Sequence, residues 1–427
     1  MCWSACEANK RADCEIVNIV IYSINYAPEL TGIGKYNGEM APWLVGQGHN
    51  VDVITAPPYY PEWKVHRGYT GGSYSSGQVD GVTVHRCPLY VPKAPSTIKR
   101  LLHLISFSWS SAWRLFSLWK KKPDVVFVVE PTLFCVPFAL LFCKLRGSKA
   151  ILHIQDYEVD AMLGLGMAGN SSDRIGRMAY AIESWLMRRF DKVSSISYSM
   201  LDKARVKGTA EERLLFFPNW SDTSFVYPGV DGSELREKWK VNPGEMVVLY
   251  AGNIGAKQGL ELAIKAAERF RTRTNVRFFL VGSGAYVDTL KAMVFERSLI
   301  NVEFKPLQAW EDVPAMLSMA DVHLVVQRKG AADAVLPSKL TNILSAGGYS
   351  VVTAEAHTEL GKLADEYPGI YTCVEPEDLD AFCEGLEREL DRAQGINTVA
   401  RGYAEQNLNK ETILQRLNSD LVELCEK

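Results

Sequence analysis

Short runs of β-branched residues alternate with longer amphipathic stretches along most of the chain. This alternation is typical of βα units that wind a parallel sheet. The rhythm breaks at positions 218–232, PNWSDTSFVYPGVDG, which are rich in Pro, Gly, Ser and Asp, and it then resumes. The pattern therefore predicts an α/β protein with two Rossmann-like parallel-sheet domains joined by a linker.

The apolar runs give the expected strands of each domain. In the first domain they lie at 16–23, 51–55, 82–85, 125–129, 150–154 and 192–196. In the second they lie at 247–251, 276–281, 302–304, 322–326 and 350–353, and helices are expected to begin near Gly259, Ala285, Trp310, Ser338 and Thr358. Open parallel sheets bind ligands at the carboxyl ends of their strands. Two such domains facing a central cleft favour a nucleotide-type ligand.

The same runs set the expected boundaries. We expect a disordered tail at 1–15, a first domain at 16–217, the linker at 218–232 and a second domain at 233–396. Residues 397–427 have a charged amphipathic pattern, which predicts a C-terminal helix that packs back on the first domain.

Composition excludes several classes of protein. A formal net charge of −3, from 47 Lys and Arg against 50 Asp and Glu, gives no overall field that would gather nucleic acid. Nine scattered cysteines without a C-x-x-C pair are typical of reduced thiols in the cytoplasm. Positions 125–145 are apolar and about long enough to span a bilayer, but Glu130, Pro131 and Pro137 interrupt them. They predict a buried strand followed by a core helix.

The first βα turn carries two glycines that are candidates for anion binding. Gly32 and Gly34 precede a helix expected at Lys35, whose first N–H groups favour negative charge. A glycine turn that binds nothing is the alternative. The positions that follow, from Leu44 to Thr55, resemble the helix end, turn and second strand of the retaining GT-B glycosyltransferases.

The segment HIQDYEVDAMLGLG, at 153–166, lies where that family places a loop on the acceptor side of the cleft. The resemblance implies that Asp156 is catalytic and positions the acceptor hydroxyl, with Glu158 and Asp160 as substitutes. An Asp at a strand end can also serve only as a helix cap. His153 is flanked by Ile and Leu, so we interpret it as a core histidine.

The segment AGNIGAKQGLE, at 251–261, opens the second domain. The family usually has G-R-L-x-x-x-K-G here, but Asn253 stands at the Arg position and Gln258 at the Lys position. Both phosphate-binding cations are therefore displaced or absent. Lys257 is a candidate for the donor diphosphate, which needs positive charge as the leaving group develops. A solvated loop lysine is the alternative.

The segment LPSKLTNILSAGG, at 336–348, predicts a diphosphate cradle. Ser338 is expected at the N-cap of a helix, with the N–H groups of Lys339, Leu340 and Thr341 directed at an anion beside the Lys339 side chain. A capped helix without a ligand is the alternative.

The same segment departs from the family at one conserved feature of its motif. Its usual pair of glutamates falls on Ala334 and Asn342 in this chain. Asn342 is a candidate for a ribose hydroxyl, since an amide offers both a donor and an acceptor. Asp333 lies one position from the first glutamate's place. The way in which the family holds its donor sugar therefore cannot be transferred directly to this chain.

The stretch at 81–123 contains eight Lys and Arg residues and no acidic residue. Its apolar residues recur at helical spacing, with Trp113 beside them; they are Ile98, Leu102, Ile105, Trp109, Ala112, Phe116 and Trp119. A cationic, tryptophan-rich amphipathic helix can lie on an anionic membrane, and Lys93 to Lys122 would supply the charge. In the alternative interpretation, this apolar stripe faces the core of the first domain.

Seven segments together are closely similar to the colanic acid biosynthesis glycosyltransferases, the WcaI-like group: INYAPELTGIGKY, TAPPYYPEW, RCPLYVPKAPSTIKRLLHL, LHIQDYEVDAMLGLG, FFPNWSD, GNIGAKQGLE and LPSKLTNILSAGG. The resemblance implies a retaining hexosyltransferase, peripheral on the cytoplasmic face of the inner membrane. It would move fucose from GDP-fucose to an undecaprenyl-diphosphate-linked saccharide during exopolysaccharide synthesis.

We expect no cofactor and no metal, because no D-x-D follows a strand. Two alternatives remain. A sugar-nucleotide epimerase shares the architecture, and a non-catalytic membrane-associated protein would explain the missing glutamates. A nicotinamide dehydrogenase is disfavoured, since G-x-G-x-x-G is absent and the second strand ends without an acidic residue.

Overall fold

The computed structural model describes residues 16–29, 32–60, 62–93, 96–131, 133–157, 172–329 and 336–426. The chain forms two compact units. The first unit comprises Met1–Phe217 together with Leu414–Lys427, and the second comprises Pro218–Ile413.

An eight-stranded sheet forms the centre of the first unit, in the order β3-β4-β2-β1-β5-β6-β7-β8. All neighbours are parallel except β3, which pairs antiparallel with β4. The strands are β1 Asn18–Tyr22, β2 Asn50–Thr55, β3 Ser75–Val79, β4 Val82–Arg86, β5 Val125–Glu130, β6 Lys149–Ile154, β7 Lys192–Ser195 and β8 Leu214–Phe216.

The helices of the first unit connect these strands. They are α1 Gly32–Gly46, α2 Thr97–Ser117, α3 Val136–Arg146, α4 Ser172–Met187 and α5 Tyr198–Val206. The connection from β1 to β2 runs in one direction across the sheet. The connections from β4 to β5, from β5 to β6 and from β6 to β7 run in the opposite direction. Because such crossovers are right-handed, α2, α3 and α4 lie together on the face opposite α1.

A six-stranded parallel sheet forms the centre of the second unit, in the order β11-β10-β9-β12-β13-β14. Its strands are β9 Met246–Ala251, β10 Val276–Val281, β11 Val302–Lys305, β12 Val322–Val325, β13 Tyr349–Thr353 and β14 Thr372–Val374. The strand order reverses direction between β9 and β12. A gap therefore opens there at the carboxyl edge, where ligands of doubly wound sheets bind.

Nine helices accompany that sheet or continue the described chain to its end. They are α6 Ser233–Lys238, α7 Glu261–Arg269, α8 Val287–Glu296, α9 Val313–Ser318, α10 Ser338–Ser345, α11 Glu359–Glu366, α12 Leu379–Arg392, α13 Thr398–Tyr403 and α14 Lys410–Glu426. The core on one side of the sheet is built around Tyr250, Phe278 and Phe382, which are all buried.

The predicted strands agree with the structure to within two residues at each end. The strands β3, β8 and β14 were not predicted. All five residues of β3 are exposed, so that strand lacks the apolar alternation that marks a half-buried edge. The strands β8 and β14 have three residues each, too few to show a period.

The apolar run at 125–145 is the buried strand β5 followed by α3, as predicted. Within the described ranges, no helix is both long and apolar enough to cross a membrane.

Residues 218–232 were expected to be a linker, but the structure places them in the second unit. Val226 is fully buried in the core cluster around Leu340 and Leu344. The Asp222 carboxylate accepts hydrogen bonds from the backbone N–H groups of Ser224 and Phe225, which fixes the turn. The part of this segment around Val226 is therefore packed in the second unit.

The C-terminal region was predicted as one helix at 397–427, and it is broken. A short π turn, Ala404–Leu408, separates α13 from α14, and the Asn409 side chain accepts from the Thr412 N–H at the start of α14. From Leu414 onward the chain belongs to the first unit, where the Asn418 side chain bonds to the His49 ring at 2.5 Å.

We expect Leu417→Ala to destabilise the first unit by about 2–5 kcal/mol, since a fully buried leucine leaves a cavity when truncated. Urea unfolding followed by tryptophan fluorescence measures this. Arg416→Ala, at the neighbouring exposed position, is the matched control and should change stability by less than about 0.5 kcal/mol. Equal effects of the two variants would contradict the packing of α14 in this unit.

Candidate functional site

Glycines bring two turns together at the carboxyl edge of the second sheet. Gly252 follows β9, and Gly282 and Gly284 follow β10, all with φ between +146° and +157°. A Cβ atom on Gly282 would overlap the carbonyl oxygen of Gly252, and one on Gly284 would overlap that of Ile254. Only glycine allows this approach, which produces a backbone surface without side chains beside the reversal of strand order.

The helix α10 begins at Ser338, but its N-cap differs from the prediction. Pro337 occupies the N-cap, and its carbonyl accepts hydrogen bonds from the N–H groups of Leu340 at 2.8 Å and Thr341 at 3.3 Å. These two groups were predicted to face an anion, and they are directed into the helix instead. The amides of Ser338 and Lys339 hold the first two helical positions, which have no intrahelical acceptor.

Lys339 extends from the first turn of α10 toward β9. Its Nζ lies 3.0 Å from the Tyr250 hydroxyl, 4.3 Å from the centroid of that ring, and close to Gly252. Burial lowers the pKa of the Lys339 ammonium to about 8, because a charged group loses hydration there. Tyr250 was missed by the sequence analysis, since it belongs to an apolar strand pattern.

Asn342 lies one turn further along α10. Its Oδ1 accepts a hydrogen bond from the Ser221 hydroxyl at 3.0 Å. The carbonyl half of this amide is thus bound within the second unit, which leaves its NH₂ as the group suited to a ligand oxygen. Asp333 and Ala334 lie outside the described residues.

The turn after β9 holds the remaining candidates of the second unit. Lys257 is exposed there. The Gln258 side chain accepts from the Gly255 N–H at 3.1 Å, so it stabilises the turn. The residue at the family's Lys position therefore has a structural contact of its own.

In the first unit, Glu29 links two turns at the carboxyl edge of the sheet. The buried carboxylate accepts from the N–H groups of Tyr59 and Tyr60, both at 2.9 Å, and from Asn25 Nδ2 at 2.8 Å. Burial raises its pKa. A Cβ atom on Gly34 would lie 2.7 Å from that of Glu29, so this glycine makes room for the glutamate. The sequence analysis missed Glu29.

Gly32 begins α1 with φ of +57°. Asp156 is exposed two positions beyond the end of β6, and the buried Tyr157 that follows donates its hydroxyl to the Met200 carbonyl at 2.7 Å. Glu158 and Asp160 lie outside the described residues. His153 is buried, its Nδ1 lies 2.9 Å from the Ser194 hydroxyl, and its pKa is lowered to about 3, which confirms a core histidine.

Two family models match the chain. The "Glycosyl transferase 4-like domain" matches residues 31–220, and "Glycosyl transferases group 1" matches residues 231–395. The putative colanic acid biosynthesis glycosyl transferase WcaI of Escherichia coli K12 is 50% identical over 408 residues, covering 95% of this chain and 100% of that protein. The chain belongs to the WcaI-like family of glycosyltransferases.

Solved structures agree with this glycosyltransferase in fold. Sucrose-phosphate synthase from Thermosynechococcus elongatus matches with a TM-score of 0.75 at 16% identity, covering 96% of this chain and 99% of that one. Anabaena HepE in complex with UDP-glucose matches with a TM-score of 0.66 at 14% identity, covering 95% of this chain and 99% of that one. The predictions of a GT-B fold and of a glycosyltransferase are confirmed.

The helix α2 of this glycosyltransferase buries serines beside the apolar Phe107 and Leu115, and it exposes most of its apolar stripe. Its inward face carries serines, and their hydroxyls bond to the Phe134 carbonyl, the Pro88 carbonyl and the Tyr22 hydroxyl, each at 2.6 Å. Its outward face carries most of the predicted apolar stripe, of which Ile98, Leu102, Ile105 and Trp109, with Trp113 beside them, are exposed. Trp119 of the stripe is also exposed, Ala112 is buried and Phe116 is partly buried. The core interpretation of the stripe is therefore wrong for five of its seven members.

We expect the protein's stability to rise with pH between about 8 and 10 through Lys339. Its pKa falls from 10.5 to about 8 on folding, so the unfolded chain holds more protons in this window. Below pH 8 the folded protein bears the full free-energy cost of desolvating the Lys339 charge. This cost disappears as the pH rises, because the amine is then neutral in the folded protein. Urea unfolding of the wild type and of Lys339→Met at pH 7 to 10 measures the free energy of unfolding of each protein. The wild type should gain stability relative to the variant, and a constant difference would contradict the assignment.

Proposed function

We propose that this glycosyltransferase moves a hexose from a nucleotide donor, with retention, onto a lipid-diphosphate-linked saccharide of a colanic acid-like exopolysaccharide. The supporting structural observation is Lys339, a partly buried cation at a helix start beside the glycine turns where the strand order reverses. The named role of the 50% identical WcaI supports the pathway. Resemblance to that group supports fucose from GDP-fucose as the transferred sugar.

The proposed mechanism is displacement on the front face of the donor sugar. The bond from the anomeric carbon to the diphosphate breaks while the acceptor oxygen bonds on the same face. The acceptor's proton passes to the leaving diphosphate, and Asp156 orients the acceptor hydroxyl. Lys339, the amides of Ser338 and Lys339, and Lys257 stabilise the leaving group.

The proposal requires neither a metal nor a cofactor. A protonated amine and helix N–H groups supply the charge stabilisation that a divalent cation supplies in other transferases. The donor itself is a substrate. A nucleotide sugar in the solved HepE complex is consistent with this kind of ligand.

The first unit is proposed to dock on the anionic cytoplasmic face of the inner membrane, around Lys93 to Lys122. The helices α2, α3 and α4 share one face of the sheet, and each exposes large apolar side chains, including Trp109 and Trp113 of α2, Leu141 and Leu145 of α3, and Ile182 and Trp185 of α4. Exposed apolar surface of this extent, bordered by cations, is suited to an anionic bilayer interface.

A transfer assay tests the function directly. Purified protein is incubated with an undecaprenyl-diphosphate-linked saccharide, chelator and radiolabelled GDP-fucose beside other GDP- and UDP-sugars. Label entering the lipid fraction from one donor identifies the sugar and excludes an essential metal. Absence of transfer from every donor contradicts the proposed reaction, and absence of nucleotide binding as well favours the non-catalytic alternative.

We expect Lys339→Ala to lower the transfer rate by at least about 100-fold, because the leaving diphosphate loses its nearest cation. Lys362→Ala, an exposed lysine on α11, is the matched control and should retain the wild-type rate. Circular dichroism and thermal unfolding establish that both variants fold. A near-normal rate for folded Lys339→Ala contradicts the role of this lysine.

We expect the double variant Trp109→Glu, Trp113→Glu to lose binding to vesicles of phosphatidylglycerol and phosphatidylethanolamine. Two exposed indoles that would insert into the membrane interface are replaced by charges that the anionic surface repels. Co-sedimentation measures the fraction of each protein that binds to the vesicles. Phe295→Glu, which changes an aromatic residue of the second unit that is 86% exposed, is the control and should bind like the wild type. Equal binding by all three proteins contradicts docking through α2.

A further inference from the structure

The turn after β9 contains fewer cations than its family position requires. Asn253 and Gln258 occupy the two positions where the family's phosphate-binding Arg and Lys stand. Gln258 already accepts the Gly255 N–H, so it shapes the turn. A leaving nucleoside diphosphate carries more than one negative charge. Lys339 supplies one positive charge, and Lys257 is an exposed lysine of the turn. A cation held in place by contacts of its own would complete the set that the two missing family residues leave incomplete.

Arg328 reaches that turn from another strand. It follows β12 by three residues and lies against the turn after β9, which its Nε contacts through the Ala256 carbonyl at 2.7 Å. Its own N–H donates to the Lys257 carbonyl at 3.1 Å. Gly259, at φ +61°, gives it room, because a Cβ atom there would lie 3.0 Å from the Arg328 Cγ.

A carboxylate orients the guanidinium. One Nη of Arg328 donates to Glu261 at 2.6 Å, and the same carboxylate oxygen accepts the Tyr286 hydroxyl at 2.6 Å. These contacts use Nε and one Nη of a group that carries five N–H donors. The Arg328 side chain is still 44% exposed, whereas that of Glu261 is 19% exposed. A ligand can therefore reach the guanidinium while Glu261 holds it in place.

Arg328 and Lys339 meet the same turn from opposite ends. Lys339 lies against Gly252 at its start, and Arg328 lies against Ala256 and Gly259 at its end. The turn joins β9 to α7 where the strand order reverses between β9 and β12. Arg328 and Lys339 thus border the turn after β9, which lies at the edge of the sheet where anionic ligands of such folds bind.

We propose that Arg328 is a binding residue for the donor diphosphate and replaces the cations absent at Asn253 and Gln258. Glu261 acts as its positioning residue. The inference rests on the proposed function, in which the second unit binds a nucleotide sugar. An arginine suits this task because its planar fork matches phosphate oxygens and it stays charged at every physiological pH. The donor diphosphate then meets a permanent cation at Arg328 and a titratable one at Lys339, besides the exposed Lys257.

Calorimetric titration of the full-length protein tests the proposal, with GDP and UDP as probes beside guanosine and uridine. We expect Arg328→Ala to weaken the affinity for the better-bound diphosphate by about 10- to 100-fold, as for loss of a charged hydrogen bond. The affinity for the matching nucleoside should not change. Arg328→Lys should give an intermediate affinity, since it keeps the charge without the fork. Arg269→Ala is the matched control, because Arg269 is a similarly exposed, ion-paired arginine at the far end of α7.

Glu261→Gln separates a ligand contact from a structural ion pair. If Arg328 binds the diphosphate, this variant keeps the cation and an amide oxygen that can still accept from its Nη, and it removes a negative charge beside the ligand. Its diphosphate affinity should therefore equal or exceed that of the wild type. Equal losses in Arg328→Ala and Glu261→Gln would mean that the pair only stabilises the turn, which overturns the inference. Wild-type affinity in folded Arg328→Ala also overturns it and leaves the proposed function standing. A wild type that binds none of the nucleotides overturns the proposed function itself.

Discussion

The reversal of strand order between β9 and β12 is the constraint on which the candidate site depends. Parallel strands on either side of that point send their connections to opposite faces of the sheet, so the chain leaves a gap at the carboxyl edge. Gly252, Gly282 and Gly284 keep the gap clear of side chains. Lys339 from α10 can reach it only because the helix starts directly at this edge. The chemistry of the second unit thus follows from its winding.

In the first unit, too, the order of the strands determines on which side of the sheet each helix lies. Its helices α2, α3 and α4 follow strands that advance in one direction, so they form one layer on one side of the sheet. The serines of α2 make inward contacts together with the buried Phe107 and Leu115, while Ile98, Leu102, Ile105 and Trp109 are exposed. An amphipathic pattern in a sequence therefore does not by itself tell which side is buried.

Much of the fold could be predicted from the sequence because buried parallel strands are continuous apolar runs. The strand β3 has no such signal, since its residues are all exposed. The site was predictable in part. Lys339 follows a Pro-Ser helix start, but the pattern fits either residue as N-cap, and the structure has Pro337. Glu29 and Arg328 could not be predicted, because their contacts join segments 30 and 67 positions apart.

The path of the chain between the two units carries a further consequence. It passes from the first unit to the second at Phe217–Pro218 and returns at Ile413–Leu414. The second unit is thus an insertion within the first, whose last residues contribute Leu414, Leu417 and Leu421 to its interior. A gene fragment ending at position 217 would lack these residues and expose the surface they cover. Exchange of one second unit for another, in evolution or in engineering, must therefore preserve two junctions rather than one.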